Sequence, residues 1–162
     1  MTSTAPDPDP ATPPPARSER EYPDRPWVGV GVIAWRGDRV LLIRRGKAPR
    51  LGTWSLPGGA QHLGETVYQT AVREMREETG LAVVPYEVVT VVDAVTRDDA
   101  GAVQYHYTLV EVAADCTGDG EPACGDDALE ACWATVEEAA ALVPWDETAR
   151  VIRLSAARRC GR

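Results

Sequence analysis

The chain has 162 residues and a formal net charge of −8, long enough for one domain with a substantial core. The acidic balance argues against polyanionic partners, nucleic-acid backbones and anionic membranes alike. Small charged ligands remain open to it, provided that local cations or a metal receive them.

Residues Met1 to Pro26 hold eight of the thirteen prolines, with Ser, Thr, Asp and Glu between them. Such a composition buries too little apolar surface to fold, so a disordered Pro-rich tail is expected over 1–26 and a folded domain over 27–160. The tail has no apolar run of the kind an export signal needs, and no stretch of the chain reads as a membrane span. A cytoplasmic location is the expectation. Cys116, Cys124, Cys132 and Cys160 include no CxxC pair, and they are read as free thiols, a Cys116–Cys124 bridge having no support.

Trp27 to Trp35 is rich in β-branched residues and is followed by an Arg36–Arg39 turn and by Val40 to Ile43. This pattern predicts a hairpin entering a mostly buried sheet. Alternation along the second strand sends Arg44 and Arg45 to opposite faces, so only one of them points into a given site. Between Arg44 and Arg50 stand four cations in seven residues, either a solvated loop or the phosphate-receiving side of an acidic site. Arg45 and Arg50 are the candidates, because a guanidinium offers two parallel contacts to phosphate oxygens.

Trp54 to Leu81, WSLPGGAQHLGETVYQTAVREMREETGL, carries most of the chemistry. Thr66 to Thr79 contains neither Gly nor Pro, lies between Gly64 and Gly80, and spaces Val67, Ala71 and Met75 four residues apart. It reads as one amphipathic helix. At 3.6 residues per turn Glu74 and Glu78 fall almost on the line of Val67 and Ala71, with Glu77 one step round. Carboxylates on an inward face near a helix C-terminus oppose the macrodipole and one another. A divalent cation would offset that repulsion, and Mg²⁺, with Mn²⁺ as a substitute, takes hard carboxylate oxygens together with phosphate oxygens. The structural alternative is a solvated acidic face with an Arg73–Glu77 pair.

Gly59, then five residues, Glu65, seven residues and Arg73-Glu74-Met75-Arg76-Glu77-Glu78-Thr79-Gly80-Leu81 resemble the Nudix box GX5EX7REUXEEXGU without a departure. The preceding WxLPGG segment resembles the family's lead-in. The resemblance implies an α/β fold, an α/β/α sandwich with a mixed β-sheet, and metal-dependent hydrolysis of a phosphoanhydride in a nucleoside diphosphate linked to another moiety. It implies Glu74, Glu77 and Glu78 as metal ligands, the Gly58 carbonyl joining them, and Arg73 and Glu65 orienting the carboxylates. The general base stays open between Glu74 and Asp127. The partner implied is a small nucleotide, with homodimerisation common among relatives.

After the box, Leu81 to Val95 suggests buried strands broken at Pro85, and Val103 to Ala113 a further strand after the Asp98–Gly101 turn. On that strand His106 is a candidate substrate contact, although a lone strand histidine is more often structural. The Asp115–Asp127 loop is acidic and long, which favours function or mobility. Asp127, with Glu130 next, matches the acid that precedes a strand tryptophan, here Trp133, in the family. Thr135–Leu142 and Asp146–Arg159 read as helices capped by Thr135 and Asp146, with the late arginines suited to a helix C-terminus.

ADP-ribose is the first substrate expectation, from the LIRR…GTWSLPGG context. Against it, the proline that marks one ADP-ribose-specific group about fifteen residues past the box is absent, since Val95, Thr96 and Arg97 stand there. The alternatives are a mutator-type hydrolase of nucleoside triphosphates and a sensor of this fold that binds nucleotide without cleaving it.

Overall fold

The computed structural model describes residues 19–47, 50–125 and 127–161. Its elements in chain order are β1 (Trp27–Arg36), β2 (Arg39–Arg45), β3 (Trp54–Ser55), β4 (Gly58–Ala60), α1 (Val67–Thr79), β5 (Ala82–Arg97), β6 (Val103–Thr117), β7 (Ala128–Ala134), α2 (Val136–Leu142) and α3 (Asp146–Arg159). The strands form one mixed sheet in which β1 runs parallel to β6 and the other pairings are antiparallel.

Both faces of the sheet are covered, which is why β1 and β2 read as nearly continuous apolar runs. Val30, Val32, Ala34 and Leu41 pack with Ala71 and Met75 of α1. Ile33, Trp35, Val40 and Leu42 pack on the other side with Val151 and Ile152 of α3 and Ala139 of α2. The result is the α/β/α sandwich with a mixed sheet that the sequence led us to expect.

One feature of the topology shapes the site. β1 and β2 pair only at Trp35–Val40 and Arg36–Arg39 before they splay. Past that point β4 takes the freed edge of β1, while β3 pairs with Ile43 and Arg44 of β2. The short segment 54–60 therefore crosses the wedge between two diverging arms of the sheet. Gly58 sits at φ 153° there, and a Cβ on it would overlap the Val30 carbonyl oxygen. Only glycine permits so close a backbone approach.

α1 begins at Thr66, whose hydroxyl accepts from the Gln69 amide at 3.2 Å while the Gln69 side chain accepts from the Thr66 amide at 2.8 Å. It stops at Gly80, which takes the left-handed conformation at φ 70°. α2 starts at a similar reciprocal cap, Thr135 with Glu138.

Three expectations change. Asp146 does not cap α3; Trp145 holds the cap position without a side-chain bond, and Asp146 lies in the first turn, where its charge complements the macrodipole. Pro85 does not break the strand. β5 runs through it at the sheet edge, with register irregularities at Pro85/Glu87 and Val88/Thr90, since an edge strand has amides that need no partner in the sheet. The tail prediction over 1–26 falls mostly on 1–18, which lie outside the described residues, but residues 19–26 dock on the fold. The Tyr22 amide donates to the Gln104 carbonyl at 2.8 Å, its hydroxyl donates to Asp98 at 2.9 Å, and Arg20 lies over the Trp27 ring. The four cysteines are free thiols.

Candidate active site

The inward carboxylates of α1 are where the helical spacing placed them. Glu74 and Glu78 are buried, 9% and 8% exposed, beside Ala71 and Met75. Glu78 Oε2 accepts from the Gly58 amide at 2.9 Å. A Cβ on Gly59 would overlap Glu74 Oε1, so the two glycines are the space into which the two carboxylates fit.

Arg73 anchors this arrangement. Its Nε and Nη2 donate to the two Glu65 oxygens at 2.6 and 2.9 Å, and Nη2 also donates to the Ala60 carbonyl at 3.0 Å. Nη1 donates to Glu74 at 2.7 Å and to Glu77 at 3.1 Å. Glu65 accepts further from Thr70 and from the His62 amide; the Arg73 bonds, foremost among these contacts, hold its carboxyl down at about 2. Glu77 is exposed. The Arg73–Glu77 pair of the structural alternative thus exists, but as one branch of a fork whose other branches hold Glu65 and Glu74.

The loop 118–127 is tied to the end of α1 by amides of Ala123 and Gly125 that donate to the Thr79 and Glu78 carbonyls, each at 2.9 Å. That docking carries Asp127 toward the carboxylates. Burial pushes Glu78 up to about 7; the Gly58 amide opposes the rise, Glu74 adds to it, Arg45 opposes it and Asp127 adds to it. Arg45, Asp127, Glu74 and Gly58 all therefore act on one carboxyl. Arg45 Nε is buried without a partner among the described residues, and Asp127 is ion-paired with Lys47. Arg44, on the opposite face, pairs instead with Glu130 at 3.1 Å, which takes Glu130 away from this group.

Two sequence candidates lie further off. Arg50 stacks 4.7 Å over the Trp145 ring at a strained φ of 59°, and burial together with nearby Arg45 lowers its pKa. His106 lines a depression with Pro23, Asp24, Arg25, Pro26 and Val103 and is not brought to the carboxylates. One buried acid escaped the sequence reading. Glu111 of β6 is 6% exposed, and the signal for it was a single acid inside the apolar run Leu109–Ala114.

Among the described residues no three acids already converge as a ligand set. The reason is visible in the hydrogen bonds, since Arg73 draws Glu74 and Glu77 toward itself. The donor set nonetheless fits a hard divalent cation. Glu74 and Glu78 stand buried one turn apart, Glu78 without a cationic hydrogen-bond partner among the described residues, and their carboxylate oxygens suit Mg²⁺ or Mn²⁺.

Fold and site together define an α/β/α sandwich with a helix-borne carboxylate site at a strand wedge. The family follows: the model of the NUDIX domain matches residues 25–154, and the chain belongs to that family. It is 39% identical over 106 residues to an ADP-ribose pyrophosphatase of Methanocaldococcus jannaschii, covering 65% of this chain and 60% of that protein. It is 40% identical over 91 residues to a putative 8-oxo-dGTP diphosphatase 3 of Mycobacterium tuberculosis, covering 56% of this chain and 41% of that protein. The matches thus span less than two thirds of these relatives. Among solved structures, a MutT NUDIX hydrolase from Burkholderia pseudomallei superposes with a TM-score of 0.66 at 29% identity, over 81% of this chain and 98% of that one. No helix among the described residues is long and apolar enough to cross a membrane.

Proposed function

We propose that the protein is a Mg²⁺-dependent pyrophosphohydrolase that cleaves the phosphoanhydride of a nucleoside diphosphate linked to a second moiety, with ADP-ribose the first substrate. The observation that carries this reading is the pair Glu74 and Glu78, buried one turn apart against the Gly58–Gly59 strand, with Arg45 acting on Glu78. The Methanocaldococcus relative supports ADP-ribose in particular.

Glu74 and Glu78 would hold the cation with the Gly58 backbone, Glu77 reaching in from the exposed rim. When bound, the cation supplies charge neutralisation and polarisation at the phosphoanhydride. Arg45, with its buried and unengaged Nε, receives a phosphate oxygen. Arg73 keeps Glu74 oriented and holds Glu65 ionised behind it. The proton of the attacking water goes to a carboxylate, either Glu74 or Asp127, both of which act electrostatically on Glu78.

A screen with Mg²⁺ over ADP-ribose, NADH, dinucleoside polyphosphates, sugar nucleotides and nucleoside triphosphates, with the nucleotide products resolved by chromatography, tests the reading. Cleavage of ADP-ribose that is lost in Glu78→Gln is expected; undiminished activity in that variant overturns the ligand assignment. The second reading, hydrolysis of nucleoside triphosphates, rests on the Mycobacterium relative, and preference for a triphosphate in the same screen decides for it. The cytoplasmic location and the small-molecule partner belong to this proposal as well.

A further inference from the structure

Of the four cations between Arg44 and Arg50, three have settled places: Arg44 on Glu130, Arg45 acting on Glu78, and Arg50 over the Trp145 ring. The fourth, Lys47, is the only lysine in the sequence, and its ammonium pairs with the Asp127 carboxylate. The strand ladder explains the meeting. β2 pairs with β7 as far as Arg45 and Ala128, with a register shift between Arg44 and Arg45, and one step further the Gly46 amide donates to the Asp127 carbonyl at 2.9 Å. Lys47 and Asp127 therefore leave the end of the same ladder, on segments that their backbones already hold together.

The Asp127 carboxylate needs such a partner. It acts on Glu78 as a like charge, and Glu74 stands one turn along α1 from Glu78, so repulsion pushes Asp127 outward. Its Oδ1 is closed off from water and accepts no hydrogen bond among the described residues, which leaves the Lys47 ammonium to compensate it. The side chain as a whole is nevertheless 46% exposed, so its open surface lies on the side of Oδ2. One oxygen held and the other open suits a proton acceptor. Glu74, the other candidate, is gripped by the Arg73 guanidinium at 2.7 Å. Lys47 is 65% exposed, and so open a pair adds little to folding stability. Its effect falls on where the carboxylate points.

We propose that Lys47 is a positioning residue for the hydrolysis. It acts through Asp127, holding Oδ1 so that the carboxylate stays beside Glu78 with its other oxygen open to the attacking water. This rests on the hydrolase reading given above and, within it, names Asp127 rather than Glu74 as the group that receives the proton of the water.

Nuclear magnetic resonance and steady-state kinetics test it together. In protein carrying carbon-labelled lysine, Lys47 gives a single Cε signal, which is expected to move in Asp127→Asn and to stay in place in Glu130→Gln, the acid that pairs with Arg44 instead. In hydrolysis of ADP-ribose with Mg²⁺, Lys47→Met is expected to lower kcat roughly fivefold with KM and Tm unchanged, and Lys47→Arg to recover most of the loss. In an Asp127→Asn background the same Lys47→Met substitution should cost nothing further, because the carboxylate that it positions is gone. Unchanged kcat in Asp127→Asn, additive losses in the double variant, a raised KM at constant kcat, or a Lys47 signal that ignores Asp127→Asn overturns the proposal. No cleavage of any substrate in the screen sinks the hydrolase reading and this role with it, whereas cleavage that is lost in Glu78→Gln but shows additive losses at Lys47 and Asp127 sinks this inference alone.

Discussion

Replacing Glu78 by glutamine removes a charge that the fold pays to bury. The Glu78 carboxyl is raised from 4.5 to about 7 by burial, a difference worth about 3 kcal/mol in the metal-free protein. Below pH 4.5 the group is neutral in folded and unfolded chains alike, and nothing is lost. Between 4.5 and 7 the unfolded chain releases the proton while the folded one keeps it, so stability falls as pH rises, and above 7 the full cost stands. The Gly58 amide, which donates to the ionised carboxylate, already moderates that cost, and glutamine escapes what remains. Glu78→Gln should therefore be about 3 kcal/mol more stable than the wild type at pH 8 in EDTA, a rise of about 6–12 °C in Tm for a domain of this size. At pH 4 the gain should vanish. Thermal unfolding at the two pH values, with EDTA and then with excess Mg²⁺, is the assay. Mg²⁺ should raise the Tm of the wild type and leave the variant unmoved. A variant less stable than the wild type at pH 8, or a difference that does not change with pH, refutes the reasoning.

Three further outcomes follow from the same geometry. Arg73→Lys keeps the charge but cannot bridge Glu65, Glu74 and Glu77 together; a fall of roughly 10- to 100-fold in kcat with a folded circular-dichroism spectrum is expected, and unchanged kcat counts against the orienting role. Gly59→Ala puts a methyl onto Glu74 Oε1, so metal affinity measured by calorimetry should fall at least about tenfold with little change in Tm. Gly125→Ala drives a methyl into the Glu77 carbonyl oxygen beneath the loop, and about 1–3 kcal/mol of destabilisation is expected in chemical denaturation.

Much of this was legible in the residues because it depends on local periodicity. The spacing of Val67, Ala71 and Met75 defined α1 and turned Glu74 and Glu78 inward, and alternation along β2 separated Arg45 from Arg44. Strand existence followed from β-branched runs: the β1–β2 hairpin appeared, and the strand expected after the Asp98–Gly101 turn pairs antiparallel with β5. What escaped depends on contacts distant in sequence. Pro85 reads as a break until its strand is known to lie at a sheet edge. Residues 19–26 read as tail because their partners, Gln104 and Asp98, lie about eighty positions away. Glu111 gave no periodic signal at all, and the room for its side chain depends on Gly31 in a strand eighty residues earlier. Asp127 was a candidate through its match to the family's acid ahead of Trp133, and His106 only as a lone strand histidine; loop docking through Ala123 and Gly125 brings Asp127 toward the carboxylates, and His106 stays apart.

On the proposed function, the buried pair Glu74 and Glu78 makes a cation-dependent phosphoanhydride hydrolase. Phosphorus NMR of ADP-ribose incubated with the protein tests it directly, since the pyrophosphate and phosphomonoester resonances report bond cleavage itself. With Mg²⁺ the pyrophosphate signals should give way to phosphomonoester signals, and they should persist in EDTA and with Glu74→Gln or Glu78→Gln. Cleavage that continues at the wild-type rate in EDTA or in either variant contradicts the claim.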